Sequence, residues 1–257
     1  MRLGCALVLG VFAFGAPDAS RAAEVEDSCV DCHSDKDLLV VNKKLYDYYQ
    51  DWQYSVHKQE EVTCFDCHGG NPEIADKKGA HGTGLGEEDT SSAVNFKNIP
   101  DTCGQCHEEI LDSYRTSEHF KHLVRKKEEK QGPNCVTCHG SMGTSIPNVT
   151  SVEEACVRCH NDETENHPEI PDDARTILNK FLSIDRFYRY IRVRLEPEER
   201  GPFLDKIDAR IRDLSLRWHT FDLEEIEKDT QSVLAAIKQK RDEVRERKAE
   251  AKAASGD

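Results

Sequence analysis

Apolar positions organise the last third of the chain. Ile177, Phe181, Ile184, Tyr188, Ile191 and Leu195 recur at steps of three and four, which puts them on one helical face, and Pro197 ends the segment. Leu204, Ile207, Ile211, Leu214, Trp218 and Phe221 repeat the spacing after Gly201-Pro202, and Leu223, Ile226, Val233 and Ile237 carry it onward. These stripes predict a hairpin of long helices over 171–257. From Lys238 to Asp257 apolar residues nearly vanish, which predicts a solvated, fraying helix as a charged tail. Upstream the periodicity is short-ranged. Helices are expected around Leu38 to His57 and Glu108 to Lys127, with Gly- and Pro-bearing loops at Gly69 to Pro72, Gly79 to Gly86 and Gly140 to Pro147. Strand signals are nearly absent, so the expected fold class is mainly α.

The 257 residues are only 37% apolar, and mean hydropathy is −0.71. That supply is thin for a conventional core, and a bound hydrophobic group would resolve the shortfall. The N-terminus reads as an export signal, residues 1–23. Met1-Arg2 is basic, Leu3 to Phe14 is apolar, and Ser20-Arg21-Ala22 is a small-x-small cleavage site. The run is shorter than the roughly 20 residues a spanning helix needs, so no transmembrane anchor is expected after cleavage. Cys5 belongs to the removed peptide, and the mature chain is expected in the periplasm.

Every remaining cysteine falls into one pattern: Cys29-x-x-Cys32-His33, Cys64-x-x-Cys67-His68, Cys103-x-x-Cys106-His107, Cys135-x-x-Cys138-His139 and Cys156-x-x-Cys159-His160. Each has the form of a c-type haem attachment site. Two thiols are spaced to form thioethers with the vinyl groups, and the adjacent imidazole is placed under the iron. Chance would give roughly 0.02 such motifs at this composition. Zinc sites or disulfides also use Cys-x-x-Cys pairs, but neither requires a histidine after every second cysteine. Five covalently bound c-type haems are therefore expected, with His33, His68, His107, His139 and His160 as proximal ligands.

Six histidines remain for the distal positions. The stretch Trp52-x-x-Ser55-x-His57, set between the first two motifs, repeats as Tyr114-x-x-Ser117-x-His119 between the third and fourth. His57 and His119 are thus expected distal ligands. His167, before Pro168, and His81, in a Gly-rich loop, join them. His219 is favoured as the fifth, with His122 and Met142 in reserve. The motifs crowd into residues 29–160, about 26 residues per haem, so the cofactors must form much of the interior.

The five motifs, the two aromatic-x-x-Ser-x-His segments and the His68-Gly69 and His139-Gly140 steps resemble the multihaem cytochrome c superfamily. That group includes the tetrahaem cytochrome c of ammonia oxidisers, octahaem hydroxylamine oxidoreductase and pentahaem nitrite reductase. The resemblance covers about residues 29–167 and implies a mainly helical domain, taken as 24–170, with closely stacked haems and predominantly bis-histidine ligation. The chain departs from the nitrite reductases in lacking a Cys-x-x-Cys-Lys motif, and it is short for the octahaem oxidases. Electron transfer is what the resemblance implies most directly.

Net charge is −14, yet residues 171–257 hold 19 basic and 19 acidic side chains, so the acidity sits upstream as 16 basic against 30 acidic. Redox partner proteins with basic docking faces are expected, and nucleic acid is not. The expected function is electron transfer between such partners through closely spaced haems, with no catalytic residues. The alternative is a small-molecule oxidoreductase, acting on an inorganic nitrogen or sulfur species at one open iron. An oligomer or complex formed through the C-terminal helices is a third possibility.

Overall fold

Long stripes become long helices, and the motif region becomes single turns joined by loops. The computed structural model describes residues 27–125 and 132–255. The expected signal peptide and Cys5 lie outside them. Among the described residues every regular element is a helix, and none is long and apolar enough to cross a membrane. In chain order they are α1 (Ser28–His33), α2 (Leu38–Val41), α3 (Lys43–Gln53), α4 (Val56–Gln59), α5 (Cys64–His68), α6 (Lys77–His81), α7 (Ile99–Gly104), α8 (Glu108–Thr116), α9 (Glu118–Leu123), α10 (Cys135–His139), α11 (Val149–Val157), α12 (Ile170–Arg192), α13 (Pro197–Trp218) and α14 (Leu223–Ser255).

The principal core lies at the C-terminal end. Ile184, Ile191, Leu195, Leu204, Ile207, Leu214, Val233, Ile237 and Val244 form one buried cluster shared by α12, α13 and α14. At roughly 1.5–3 kcal/mol per fully buried aliphatic side chain, this cluster is the main apolar stabilisation the chain supplies for itself. The third stripe forms its own 33-residue helix, α14, which packs along both α12 and α13, so the expected hairpin carries a third arm. α13 begins at Pro197 and continues through Gly201-Pro202. Proline at the first helical position and Glu198 and Glu199 beside the positive helix end favour this early start.

The charged tail is helical and exposed from residue 245 to 255, as expected, but its first turns depart from expectation. Helix α14 stays docked well past Lys238, because Val244 is 2% exposed. Lys240 and Arg247 both reach Glu199, at 3.2 and 2.8 Å.

The motif region has far less apolar core of its own. Among the described residues its buried cluster is Leu111, Tyr114 and Leu123, with Phe96, Phe120 and Phe221 packed against it. Phe221 comes from the turn between α13 and α14, so the C-terminal bundle reaches into this cluster. The bundle is tied on twice more. Helix α11 packs on α12, where Val152, Ala155, Ala174 and Ile177 are buried, and Arg212 meets Glu109 at 2.5 Å. The apolar contacts carry that junction, since an exposed ion pair contributes about 0–1 kcal/mol.

Replacing Ile237 by alanine removes a fully buried side chain and is expected to destabilise the bundle by about 2–5 kcal/mol. Leu182→Ala, at a half-exposed site, should stay within about 0.5 kcal/mol. Chemical denaturation followed by helical circular dichroism checks both.

Candidate haem sites

Each motif is held on or beside a short helix. Asp27 caps α1 by accepting from Cys29 N–H at 3.0 Å. Thr63 with Asp66, and Asn134 with Thr137, form capping boxes around α5 and α10. His68 and His139 end these turns, and the next residue, Gly69 or Gly140, has φ of 72° or 78°. Glycine takes that conformation without strain, which lets the chain turn away immediately after the imidazole.

The repeated aromatic-x-x-Ser-x-His segment is a positioning device. The expected continuous helices break at Ser55 and Ser117, both buried. Ser55 Oγ donates to Trp52 O at 2.7 Å and accepts from Lys58 N–H at 3.2 Å. Ser117 Oγ donates to Tyr114 O at 2.6 Å and accepts from Phe120 N–H at 3.1 Å. Each serine therefore closes one helix and caps the next, leaving His57 or His119 as the second residue of the new helix. The aromatic residue anchors the kink. Trp52 Nε1 donates to Val62 O at 3.2 Å, and Tyr114 Oη donates to Pro133 O. In both cases the acceptor lies two residues before the next motif's first cysteine. Gly132 permits this crossing in the second repeat, because a Cβ there would lie 2.3 Å from His119 O and 2.6 Å from Leu123 N.

These elements bring imidazoles together in pairs. His33 faces His81 with ring centroids 6.2 Å apart, and His57 faces His107 at 6.3 Å. His119 faces His160 at 6.0 Å, and His139 faces His219 at 6.2 Å. Every pair joins one motif histidine to one histidine outside the motifs. Two imidazoles on opposite sides of one metal, with metal–nitrogen bonds of about 2.0 Å, have centroids roughly 6.3 Å apart. The interplanar angles run from 13° to 55°, and rotation about that axis allows any of them. Among the described residues no group of three or more His, Cys, Asp or Glu converges. Two axial protein donors are what a haem iron needs, since the macrocycle supplies the other four.

Hydrogen bonds select which ring nitrogen is free. Nδ1 lies 2.7 Å from Lys77 O in His81, 2.9 Å from Ser145 O in His139, 2.7 Å from Asn166 O in His160 and 2.8 Å from Ser215 O in His219. His57 Nδ1 lies 2.6 Å from Thr144 Oγ1. With Nδ1 donating, Nε2 is left as the metal-binding nitrogen. His119 Nδ1 is buried without a partner, and its ring is instead packed edge-on against Phe221 at 4.5 Å. Burial, reinforced by His160 and His122, pushes the His119 pKa down to about 4. Burial also lowers His33, His68 and His219. All four are thus held neutral, the form a metal takes.

The structure does not bring the other candidates into such pairs. His167 is exposed, has φ of 49° and lies 3.2 Å from Glu169 Oε1, so the expectation that it faces an iron finds no opposing imidazole. The left-handed turn before Pro168 aims it toward that carboxylate. His122 Nδ1 lies 3.2 Å from Arg125, and Met142 is half-buried in the loop after α10. Among the described residues His68 faces no second imidazole.

The thiols of Cys29, Cys64 and Cys156 are not poised as nucleophiles. Burial pushes Cys64 up to about 12 and Cys29 and Cys156 up to about 11, opposite to the lowering found in reactive Cys-x-x-Cys pairs. Cys103 and Cys135 lie close enough to perturb each other, which lowers the former and raises the latter. The third and fourth motifs therefore adjoin, and α10 packs on both α7 and α11.

A family model described as cytochrome c7 and related cytochrome c matches residues 89–161. The matched stretch contains the last three motifs and His119, and it supports a multihaem c-type cytochrome with covalently bound haem. Neither the curated proteins nor the solved structures contain a match.

Replacing His81, His57, His119 or His219 singly by glycine is expected to convert one low-spin iron to a high-spin, ligand-exchangeable one. His122→Gly and His167→Gly should leave the spin states unchanged. Low-temperature paramagnetic resonance of the oxidised variants checks the assignment, and an added high-spin signal in the His167 variant would reject it.

Proposed function

We propose that this chain is a periplasmic pentahaem c-type cytochrome that transfers electrons between redox partner proteins. The observation that carries the reading is the set of four facing imidazole pairs, each uniting a motif histidine with one outside the motifs at 6.0–6.3 Å. Bound haem supplies one-electron redox chemistry. The residues do the rest. Ten thiols would tether the haems, the four imidazole pairs would hold four of the irons, and Nδ1 hydrogen bonds fix the rings of His57, His81, His139, His160 and His219. The excess acid upstream of residue 171 favours partners with basic docking faces. The aromatic-x-x-Ser-x-His repeat supports a closer kinship with the tetrahaem, hydroxylamine oxidoreductase and nitrite reductase group.

A second reading has its own observation. His68 lacks an opposing imidazole among the described residues, while His122 and His167 are engaged elsewhere. The haem of Cys64 and Cys67 would then keep one exchangeable position, suited to a small inorganic nitrogen or sulfur species.

Intact mass of the mature protein is expected to exceed the chain by five haem equivalents, and a smaller increment would refute the count. The oxidised protein should show four low-spin irons and one high-spin iron, and carbon monoxide should bind one reduced haem in five. Five low-spin irons with no carbon monoxide binding would eliminate the open site and leave the carrier reading standing.

A further inference from the structure

Thr144 and Ser145 are neighbours in sequence, yet they hold imidazoles of two different facing pairs. Thr144 Oγ1 lies 2.6 Å from Nδ1 of His57, which faces His107. The Ser145 carbonyl lies 2.9 Å from Nδ1 of His139, which faces His219, and Ser145 N–H donates back to His139 O at 3.2 Å. The two motifs concerned adjoin where α7 packs on α10. In His81, His139, His160 and His219 the Nδ1 partner is a backbone carbonyl, which no substitution can remove. His57 alone among the facing rings leans on a side chain, supplied from 87 residues away.

We propose that Thr144 is a positioning residue that sets the ligand strength of His57, and through it the reduction potential of the haem held by Cys103 and Cys106. The inference rests on the haem reading above. With Nε2 on iron, Nδ1 keeps the proton, so the ring must donate and the hydroxyl must accept. Donation to an acceptor builds negative character on the imidazole, makes it a stronger ligand to ferric iron and lowers the potential. The threonine methyl group restricts the side chain to few rotamers, which keeps the oxygen aimed at the ring. Because Ser145 is bonded to His139 in both directions, the loop carrying Thr144 is fixed to the neighbouring pair, and the acceptor cannot drift away from His57.

The test compares Thr144→Val and Thr144→Ala, which lack the hydroxyl, with Thr144→Ser, which keeps it, in the full-length haem-loaded protein. Losing a partner of this kind typically costs ten- to a hundredfold in metal affinity or activity, and here the loss falls on the ferric form, which the stronger ligand favours. The expected result at the lower limit is a tenfold rise in the reduced-to-oxidised ratio of one haem at fixed potential, ~59 mV for one electron. The same variants should shift one low-spin resonance signal, the one lost in His57→Gly, and the serine variant should match the unmodified protein in both readouts. If the hydroxyl-free variants fail to hold that iron low-spin while the serine variant succeeds, the hydroxyl's role is shown directly. Two outcomes overturn the proposal: potentials and signals unchanged in valine and alanine variants of full haem content, or a serine variant as impaired as both. Haem content and spin count of the unmodified protein test the functional reading separately, and a chain without haem overturns both.

Discussion

Two imidazoles that hold one metal from opposite sides define a fixed gap, and under the proposed ligation the motif region is arranged around four such gaps. Each pair ties together segments far apart in sequence, from His33 with His81 to His139 with His219. Cross-links of this kind remove chain entropy as loop closures do, and the benefit grows slowly with the length enclosed. That matters here because the region's own buried apolar cluster has three members, against nine in the C-terminal bundle. The sparse, single-turn helices are what remains when a cofactor, in place of side chains, fills the interior.

The kinked helices follow from the same requirement. A straight helix through residues 43–59 or 108–123 would set His57 and His119 on a face chosen by the 3.6-residue period. A buried serine cap breaks the helix and lets the imidazole enter from the start of a new one. The aromatic anchor then fixes the kink relative to the motif that follows, so the distal ligand of one site and the tether of the next move as a unit.

Legibility from the sequence was uneven for physical reasons. The motifs, the mainly helical class and the apolar stripes of α12 to α14 are local patterns, and they were readable as such. The aromatic-x-x-Ser-x-His repeat was visible, but its role was not, since the serine bonds that interrupt the helix compete with a periodicity that favours continuing it. His167 looked fixed by Pro168, yet the left-handed turn before that proline directs it to Glu169. The tail is solvated from residue 245 onward, as its composition says, and only its first turns dock, through one valine and charges reaching Glu199 across the bundle. Thr144 on His57 and Phe221 on His119 left no sequence signal, being contacts between segments distant along the chain. A boundary near residue 170 is legible in composition, but the α13–α14 turn crosses it.

That crossing has a consequence for biogenesis. His219 lies only 38 residues from the end of the chain and faces His139, which follows the fourth pair of tethering cysteines. During synthesis the thiols emerge well before that imidazole. Under the proposed ligation, haem attachment at Cys135 and Cys138 could precede completion of that iron's coordination, which would await docking of the bundle. Maturation would end with a colour and spin change at one site, so final folding of the helices could be watched at the metal itself.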